Sequence, residues 1–398
     1  MNPAQTAAAL LDEFRTRAVP ADLGDSLGRE LIIDRTTGAI RQAGAEGAGP
    51  WLGQVRRAAE RSLYTFTKGI LGRDYLTASL HKPACDWLQR NPPRRKCLLL
   101  PREHGKTSIV SHGLPLHILI QPPEDNLYWP GVPGSDMRIV LACETEQRAT
   151  DHLRVLQTTL EANPLVRALW PHVCWDNPRA QSKKWNDREM IIRRAHEFPD
   201  PSIRAIGVGG AITGAHPTIL IKDDLIALEA ANSPTVMQTA IQWHVASRAL
   251  INDDRCLEFI IGTRWAVHDI YSHIQKTDPS VDIQVRAIVE DDVPIYPEKF
   301  SLDKIAQLRA EFGVMYPLLY LNRATDAALT DFVLDDVRLY TQAKGSRELA
   351  FADDARDEAL RAAYGPAQPD LAPLGLALSP DTYDLAFPPG GGWRARGG

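Results

Sequence analysis

The sequence is poor in the features that mark secreted, membrane-spanning and disulfide-built proteins. No run of about 18 apolar residues occurs, so nothing in it reads as a membrane span. The N-terminal stretch MNPAQTAAALLDEFRTRAV lacks a basic region followed by an apolar one and is not a secretory signal. The five cysteines, Cys85, Cys97, Cys143, Cys174 and Cys256, are scattered, odd in number and form no C-x-x-C pair. That excludes a disulfide framework and a zinc knuckle, and points to buried, reduced thiols in a cytoplasm. Basic charge is not in excess either: 45 Lys and Arg stand against 50 Asp and Glu, a formal net charge of −5. The whole-chain charge does not advertise nucleic-acid binding, which leaves the question to the local field at a groove. There is no internal repeat.

What is present is ordinary globular material. The 398 residues are 44% apolar and 24% charged, enough for two or three domains or for one large α/β domain with an appendage. Residues 1–50 read as a peripheral segment: a short helix, then RELIIDRTTGAIRQ as two strands around a D-R-T-T-G turn, then a small-residue linker from Ala43. A helical pattern runs from Trp51 to Gln89. From Cys97 to Trp265 short apolar strands alternate with helical stretches. KCLLLP, DMRIVLACE, SIRAIGV, TILIKDD and CLEFIIGTRW lack polar alternation, which predicts strands buried on both faces of a parallel sheet. The segments between them suit right-handed crossovers, giving a doubly wound α/β class. Ser301 is placed to cap a helix over LDKIAQLRAEF, with Gly313 as its stop. The expected division is 1–50 peripheral, 51–330 one α/β domain, and 331–398 a linker, an acidic Ala-rich helix and a flexible Pro/Gly-rich tail.

The strongest chemical signal is KCLLLPREHGKTSIVSHGLPLHIL: an apolar strand, a turn, Gly105-Lys106-Thr107-Ser108, then a helix. A helix N-terminus offers backbone N–H groups and a favourable dipole to a phosphate. Gly105 lets the backbone approach, Lys106 reaches the β- and γ-phosphates, and the Thr107 hydroxyl ligates Mg2+. Arg102, Glu103, His104 and Ser108 complete the loop. The G-x-x-x-x-G-K-[ST] pattern is broken at its first glycine, where Leu100 stands. More than a hundred residues on, TILIKDDL puts Asp223 and Asp224 at the C-terminal end of an apolar strand, where open α/β sheets bind ligands. An ATPase needs one carboxylate for its metal and another group for the attacking water. GVGGAITGAHP, from Gly207, leads into this strand. CLEFIIGTRWAVHDI ends a further strand in Gly262-Thr263-Arg264-Trp265, with Asp269 four residues beyond Trp265. The Thr263 hydroxyl is suited to contact the catalytic carboxylate or water, and Arg264 to pair with phosphate or with Asp224.

In this order and spacing, from Tyr64 to Phe332, the motifs resemble those of the terminase large subunits of tailed phages. L-P-R-E-H-G-K-T resembles their deviant phosphate loop, which often lacks the first glycine and carries an arginine three residues before Gly-Lys; here that is Arg102. The resemblance implies a P-loop NTPase fold (RecA/ASCE-like), a mostly parallel sheet flanked by helices with a helical N-terminal region. It implies that Arg102 senses or stabilises the γ-phosphate, that Asp223 holds Mg2+ through water, that Asp224 positions the nucleophilic water, and that Thr263 couples γ-phosphate state to movement. Many P-loop ATPases have Glu where Asp224 stands; the terminase family accepts Asp. ATP and Mg2+ are the implied ligands, and double-stranded DNA, a portal protein, a small terminase subunit and further copies in a ring the implied partners, in the cytoplasm of an infected bacterial host. Full-length members continue into a ribonuclease-H-like nuclease; the 66 residues after Phe332 are too few for one, and no nuclease activity is expected of this chain. A helicase-like DNA translocase or remodeller is the alternative, since helicases share these motifs.

Three further segments carry two readings each. Arg179 to Arg194 (RAQSKKWNDREMIIRR) is either a DNA-contacting face around Trp185 or a solvated charged hairpin. Arg94-Arg95-Lys96 is a strand-entry charge cluster or part of such a face. His81 and Trp87 either contact an adenine or pack in the core.

Overall fold

A computed structural model of the chain describes residues 49–323, apart from 211–215, 232 and 252, together with short strands at 31–33, 40–42, 338–342, 349–351 and 384–386. The chain divides into two compact units, Met1–Ala324 and Thr325–Gly398.

The first unit is built on a seven-stranded sheet. Two short strands precede it: β1 (Leu31–Ile33) pairs antiparallel with β2 (Ile40–Gln42), as the sequence predicts. The turn between them, the linker from Ala43 and the helix before residue 31 lie outside the described residues. The sheet comprises β3 (Arg95–Leu99), β4 (Ile139–Cys143), β5 (Glu189–Met190), β6 (Ile203–Gly207), β7 (Ile219–Asp223), β8 (Leu257–Ile261) and β9 (Asp282–Val285). Their order is β5-β6-β4-β7-β8-β3-β9, and every pairing is parallel except that of β5 with β6. All five strands read from the sequence are present. β4, β7 and β8 are buried at every position, which is why their sequences show no polar alternation.

Side chains alternate across the sheet and fill two separate cores. Leu98, Leu141, Ile219, Ile221 and Phe259 face one side, against α1 (Gly49–Arg61), α2 (His81–Gln89) and α4 (Glu146–Ala162). Between them α3 (Leu114–Leu119) follows a π-turn at Ser108–Gly113. Cys97, Leu99, Ala142 and Ile260 face the other side, against α5 (Pro234–Ser247) and α6 (Ile270–Thr277). All five cysteines are buried free thiols. Two charged strand residues also lie inside: Lys222 and Glu258 pair across β7 and β8 at 2.5 Å, and Glu258 further accepts from Arg95 at 2.7 Å. Burial alone would raise the Glu258 carboxyl, but Lys222 and Arg95 outweigh it and hold it at about 2.

A third cluster, around Tyr296, Phe300 and Leu308, packs α7 (Leu302–Phe312) and α8 (Tyr316–Leu321) beside Leu80. Ser301 caps α7 by accepting from the Lys304 N–H at 3.2 Å, and Gly313 ends it at φ 46°, both as the sequence indicates. Within the same unit β10 (Val289–Glu290) and β11 (Val293–Pro294) form a hairpin. In the second unit β12 (Arg338–Gln342) lies between β13 (Leu349–Phe351) and β14 (Asp384–Ala386) in an antiparallel sheet. The sequence suggested only a linker, an acidic helix and a flexible tail for this second unit; strands of three to five residues are too short to show a period. The acidic helix lies outside the described residues.

Candidate functional site

Parallel strands bring their C-terminal ends to one edge of the sheet, and the sequence motifs converge there. β8 lies between the strand that leads into the phosphate loop, β3, and the strand that ends in the two aspartates, β7. Loops from three strands therefore meet around one cleft.

The loop after β3 is a left-handed turn. Glu103 has φ 64° and Gly105 φ 76°, on either side of His104. Alternating left- and right-handed residues turn successive N–H groups toward one concavity, a nest for an anion. A Cβ at Gly105 would stand 3.2 Å from His81 Nε2 and from Leu76 Cδ2, so the position is both conformationally and sterically a glycine. The loop is braced from behind. The Arg102 N–H donates to the Leu319 carbonyl at 3.0 Å. The His104 ring stacks on Phe300 at 4.7 Å and its Nδ1 lies 2.8 Å from the Arg102 carbonyl. Burial pushes His104 down to about 4, so the ring is neutral. The Glu103 carboxylate is drawn away to Lys299 at 2.9 Å. Glu103 and His104 therefore offer a phosphate their backbone, and their side chains serve the fold. Arg102 is exposed, with its guanidinium 5.9 Å from the Trp265 ring centre.

Lys106 is buried, and its ammonium donates to Thr263 Oγ1 at 2.8 Å. The phosphate-loop lysine and the hydroxyl at the end of β8, 157 residues apart in sequence, are thus in direct contact. Gly262, between β8 and Thr263, has no room for a Cβ, which would overlap the Tyr271 phenol. Arg264 is a correction to the sequence reading. Its guanidinium is buried against Asp269, at 3.1 and 3.0 Å, and against the Ser272 hydroxyl, so its carboxylate partner is Asp269 and not Asp224. Asp269 also caps α6 by accepting from the Ser272 N–H at 2.8 Å. A charge so enclosed stays with its partner.

Asp223 is 2% exposed. Its Oδ2 accepts from Ser111 Oγ at 2.5 Å and lies 3.4 Å from His152 Nε2. Oδ1 is buried with no partner, and so is Asp224 Oδ1. Burial first, and Asp224 second, push the Asp223 carboxyl up; Ser111, Lys106 and Thr107 pull it down. A cation would reverse the balance. Asp224 sits at φ 46°, strained for a non-glycine, with its N–H on the Ile261 carbonyl and its carbonyl on the Glu144 N–H, both at 3.0 Å. An orphaned, buried carboxylate oxygen beside the Thr107 hydroxyl fits Mg2+, a hard cation that takes one or two protein oxygens and fills the rest of its shell with water and phosphate. Among the described residues no group of three or more His, Cys, Asp or Glu is placed to hold a metal ion.

Four residues at this edge escaped the sequence reading. Ser111 and His112 lie in the π-turn, His152 lies on α4, and Glu144 follows β4. The His112 Nε2 to His152 Nδ1 distance is 3.0 Å. The Glu144 carboxyl is pushed up by burial, with Arg148 opposing and Glu229 and Asp224 adding to the rise. Ser111 and His112 come in with the turn that follows the phosphate loop, the register Cys143↔Asp223 brings in Glu144, and α4 brings in His152. Other candidates resolve to structure. His81 and Trp87 are core residues, and the Trp87 indole donates to Asp282 at 2.9 Å. In the 179–194 segment Lys184 pairs with Glu189 at 2.7 Å, Lys183 with Glu197 at 2.8 Å and Arg188 with Glu146 at 2.6 Å, and the Trp185 indole donates to Glu161 at 2.7 Å. Arg94 and Arg95 bind the Arg255 carbonyl, Glu258 and Asp278. Residues 211–215, including Thr213 and Gly214, lie outside the described residues.

A mostly parallel sheet flanked by helices, with a strand–loop–helix phosphate nest and an acidic strand one strand away, defines the α/β P-loop NTPase class. No protein family matches the sequence, and no curated relative does. Solved structures similar to the chain include the large terminase ATPase domain of Thermus phage P74-26, at 14% identity over 59% of this chain and 90% of that one, TM-score 0.37. The large terminase of a thermophilic bacteriophage in complex with ADP is similar at 11% identity over 70% of this chain and 66% of that one, TM-score 0.37. An S. cerevisiae Dbp5 variant bound to Nup159, Gle1, IP6 and ADP is similar at 13% identity over 55% and 51%, TM-score 0.33.

Proposed function

We propose that this chain is the ATP-hydrolysing motor of a phage terminase large subunit, which uses ATP to drive double-stranded DNA into a procapsid. The observation that carries the ATPase reading is the contact of Lys106 with Thr263 beside the paired aspartates. The motif order from the phosphate loop through Asp223-Asp224 to Thr263 supports the terminase reading.

The loop's backbone N–H groups and Lys106 bind the β- and γ-phosphates. Thr107 and Asp223 would hold Mg2+, which would neutralise charge on the transferred phosphoryl group. Asp224, whose Oδ1 has no other partner, orients the attacking water. Arg102, which lies near Trp265 and is free to swing, neutralises charge on the γ-phosphate. The Lys106 ammonium has three N–H donors, so it can keep Thr263 while it donates to the phosphates, and this shared contact ties the nucleotide to the end of β8. The partners are double-stranded DNA, a portal, a small terminase subunit and further copies in a closed ring, in the host cytoplasm.

The test is mechanical. Purified protein with ATP, together with portal-bearing procapsids, is expected to protect linear double-stranded DNA from nuclease, and to displace a triplex-forming third strand without separating the duplex. Strand separation without packaging identifies a helicase-like remodeller instead.

A further inference from the structure

The carboxylate of Asp223 is not free to choose which oxygen it offers. Ser111 Oγ donates to Oδ2 at 2.5 Å, and His152 Nε2 lies 3.4 Å from the same oxygen, while Oδ1 is buried and bare. His152 is itself held. Its Nδ1 is 3.0 Å from His112 Nε2, and the rings meet at 57° with centres 5.1 Å apart. If His152 Nε2 carries the proton that faces Asp223, its Nδ1 is the bare acceptor and His112 Nε2 the donor. The chain then runs in one direction: His112 donates to His152, whose Nε2–H faces Asp223 Oδ2 at 3.4 Å, an ion-pair contact longer than the Ser111 hydrogen bond. It starts in the π-turn that continues the phosphate loop and crosses α4 to reach the end of β7. Metal-site carboxylates and histidines are commonly oriented by such outer partners.

We propose that His152, braced by His112, is a positioning residue: together with Ser111 it claims Asp223 Oδ2 and so presents Oδ1 to the divalent cation of the nucleotide site. The proposal rests on the ATPase reading above and deepens it. The relay also gives a reason for the π-turn, whose extra residue per turn puts Ser111 on Asp223 and His112 on His152 from adjacent positions.

The test measures Mn2+ bound to the full-length protein in the presence of ADP, by electron paramagnetic resonance, with ADP affinity in EDTA as the control. His152→Leu and His152→Asn remove the donor or leave it too short to reach Oδ2; His152→Gln places an amide N–H where Nε2 stands. Leu and Asn are expected to weaken Mn2+ binding about 10–100-fold, with metal-free ADP affinity unchanged and Gln restoring most of the loss. His112→Leu is expected to weaken it less. Wild-type Mn2+ affinity in the Asn variant overturns the proposal while the ATPase reading stands. Equal loss in Asn and Gln, or loss of metal-free ADP binding in both, also overturns it, because the effect would then be packing. Wild-type protein that binds neither ADP nor Mn2+ overturns both readings.

Discussion

Asp223, Lys106 and Arg264 were all read from sequence motifs, and they divide by what surrounds them. Lys106 and Asp223 have an atom or a contact that a ligand can take over. Arg264 has none to spare, since Asp269 and Ser272 enclose it. Arg264→Ala leaves Asp269 as a buried, unpaired charge, which is expected to cost about 3–5 kcal/mol of stability in a denaturant titration; a change under about 0.5 kcal/mol would mean the pair is not closed in solution. Gly262→Ala forces a Cβ into the Tyr271 phenol, and a loss of about 1–3 kcal/mol or more is expected in the same titration. The combined change Gly262→Ala, Tyr271→Leu removes the overlap and is expected to recover part of that loss. A sequence names residue types that suit a chemistry. It does not show which are already paired, and that is why Arg264 read as a ligand and Ser111, His112 and His152 did not.

At the scale of elements, the strands were the most legible part. Five apolar runs predicted five strands, because burial on both faces of β4, β7 and β8 keeps them apolar apart from the paired Lys222 and Glu258 and the terminal Asp223. β5 and β9 were not read. They are edge strands of two and four residues, and half-buried edges keep polar side chains. The caps of α7 were legible because Ser301 and Gly313 act within one turn of the chain. The phosphate loop was legible as a loop, but its inner support was not: Leu319 and Phe300 come from segments about 200 residues later in the chain. That support yields a prediction. Gly105→Ala meets both a φ of 76° and crowding from His81 and Leu76. Fluorescent ADP binding is expected to weaken on the order of tenfold or more, since about 1–2 kcal/mol of left-handed strain falls on the bound loop. Unchanged affinity would show that the loop binds phosphate in another conformation.

The whole molecule carries a set of buried neutral histidines. Burial pushes His81, His104 and His117 down to about 4, and His112 and His244 to about 3. An unfolded chain protonates these rings near 6.5, so between 6.5 and about 4 it binds more protons than the folded one, and stability must fall as pH falls through that window. Glu258, held at about 2, adds its own loss only below the ordinary carboxylate range. Asp223, whose carboxyl burial pushes up, opposes this by one group in the same window, so the five rings dominate and the melting temperature is expected to be steady above pH 7 and to fall from pH 6.5 to 4. A flat profile down to pH 5 would contradict the burial of these rings.

The central claim is that the convergence of Lys106, Thr263, Asp223 and Asp224 at one sheet edge is an ATP-hydrolysing site. Its most direct test is steady-state ATP hydrolysis by the purified chain with DNA and Mg2+, set beside Lys106→Ala and Asp224→Asn. We expect measurable turnover in the wild type and a loss on the order of 100–1,000-fold in Lys106→Ala, as for removal of a preorganised group facing developing charge. Asp224→Asn is expected to keep ADP affinity and lose turnover. Hydrolysis that is absent in the wild type, or equal in all three proteins, would contradict the account.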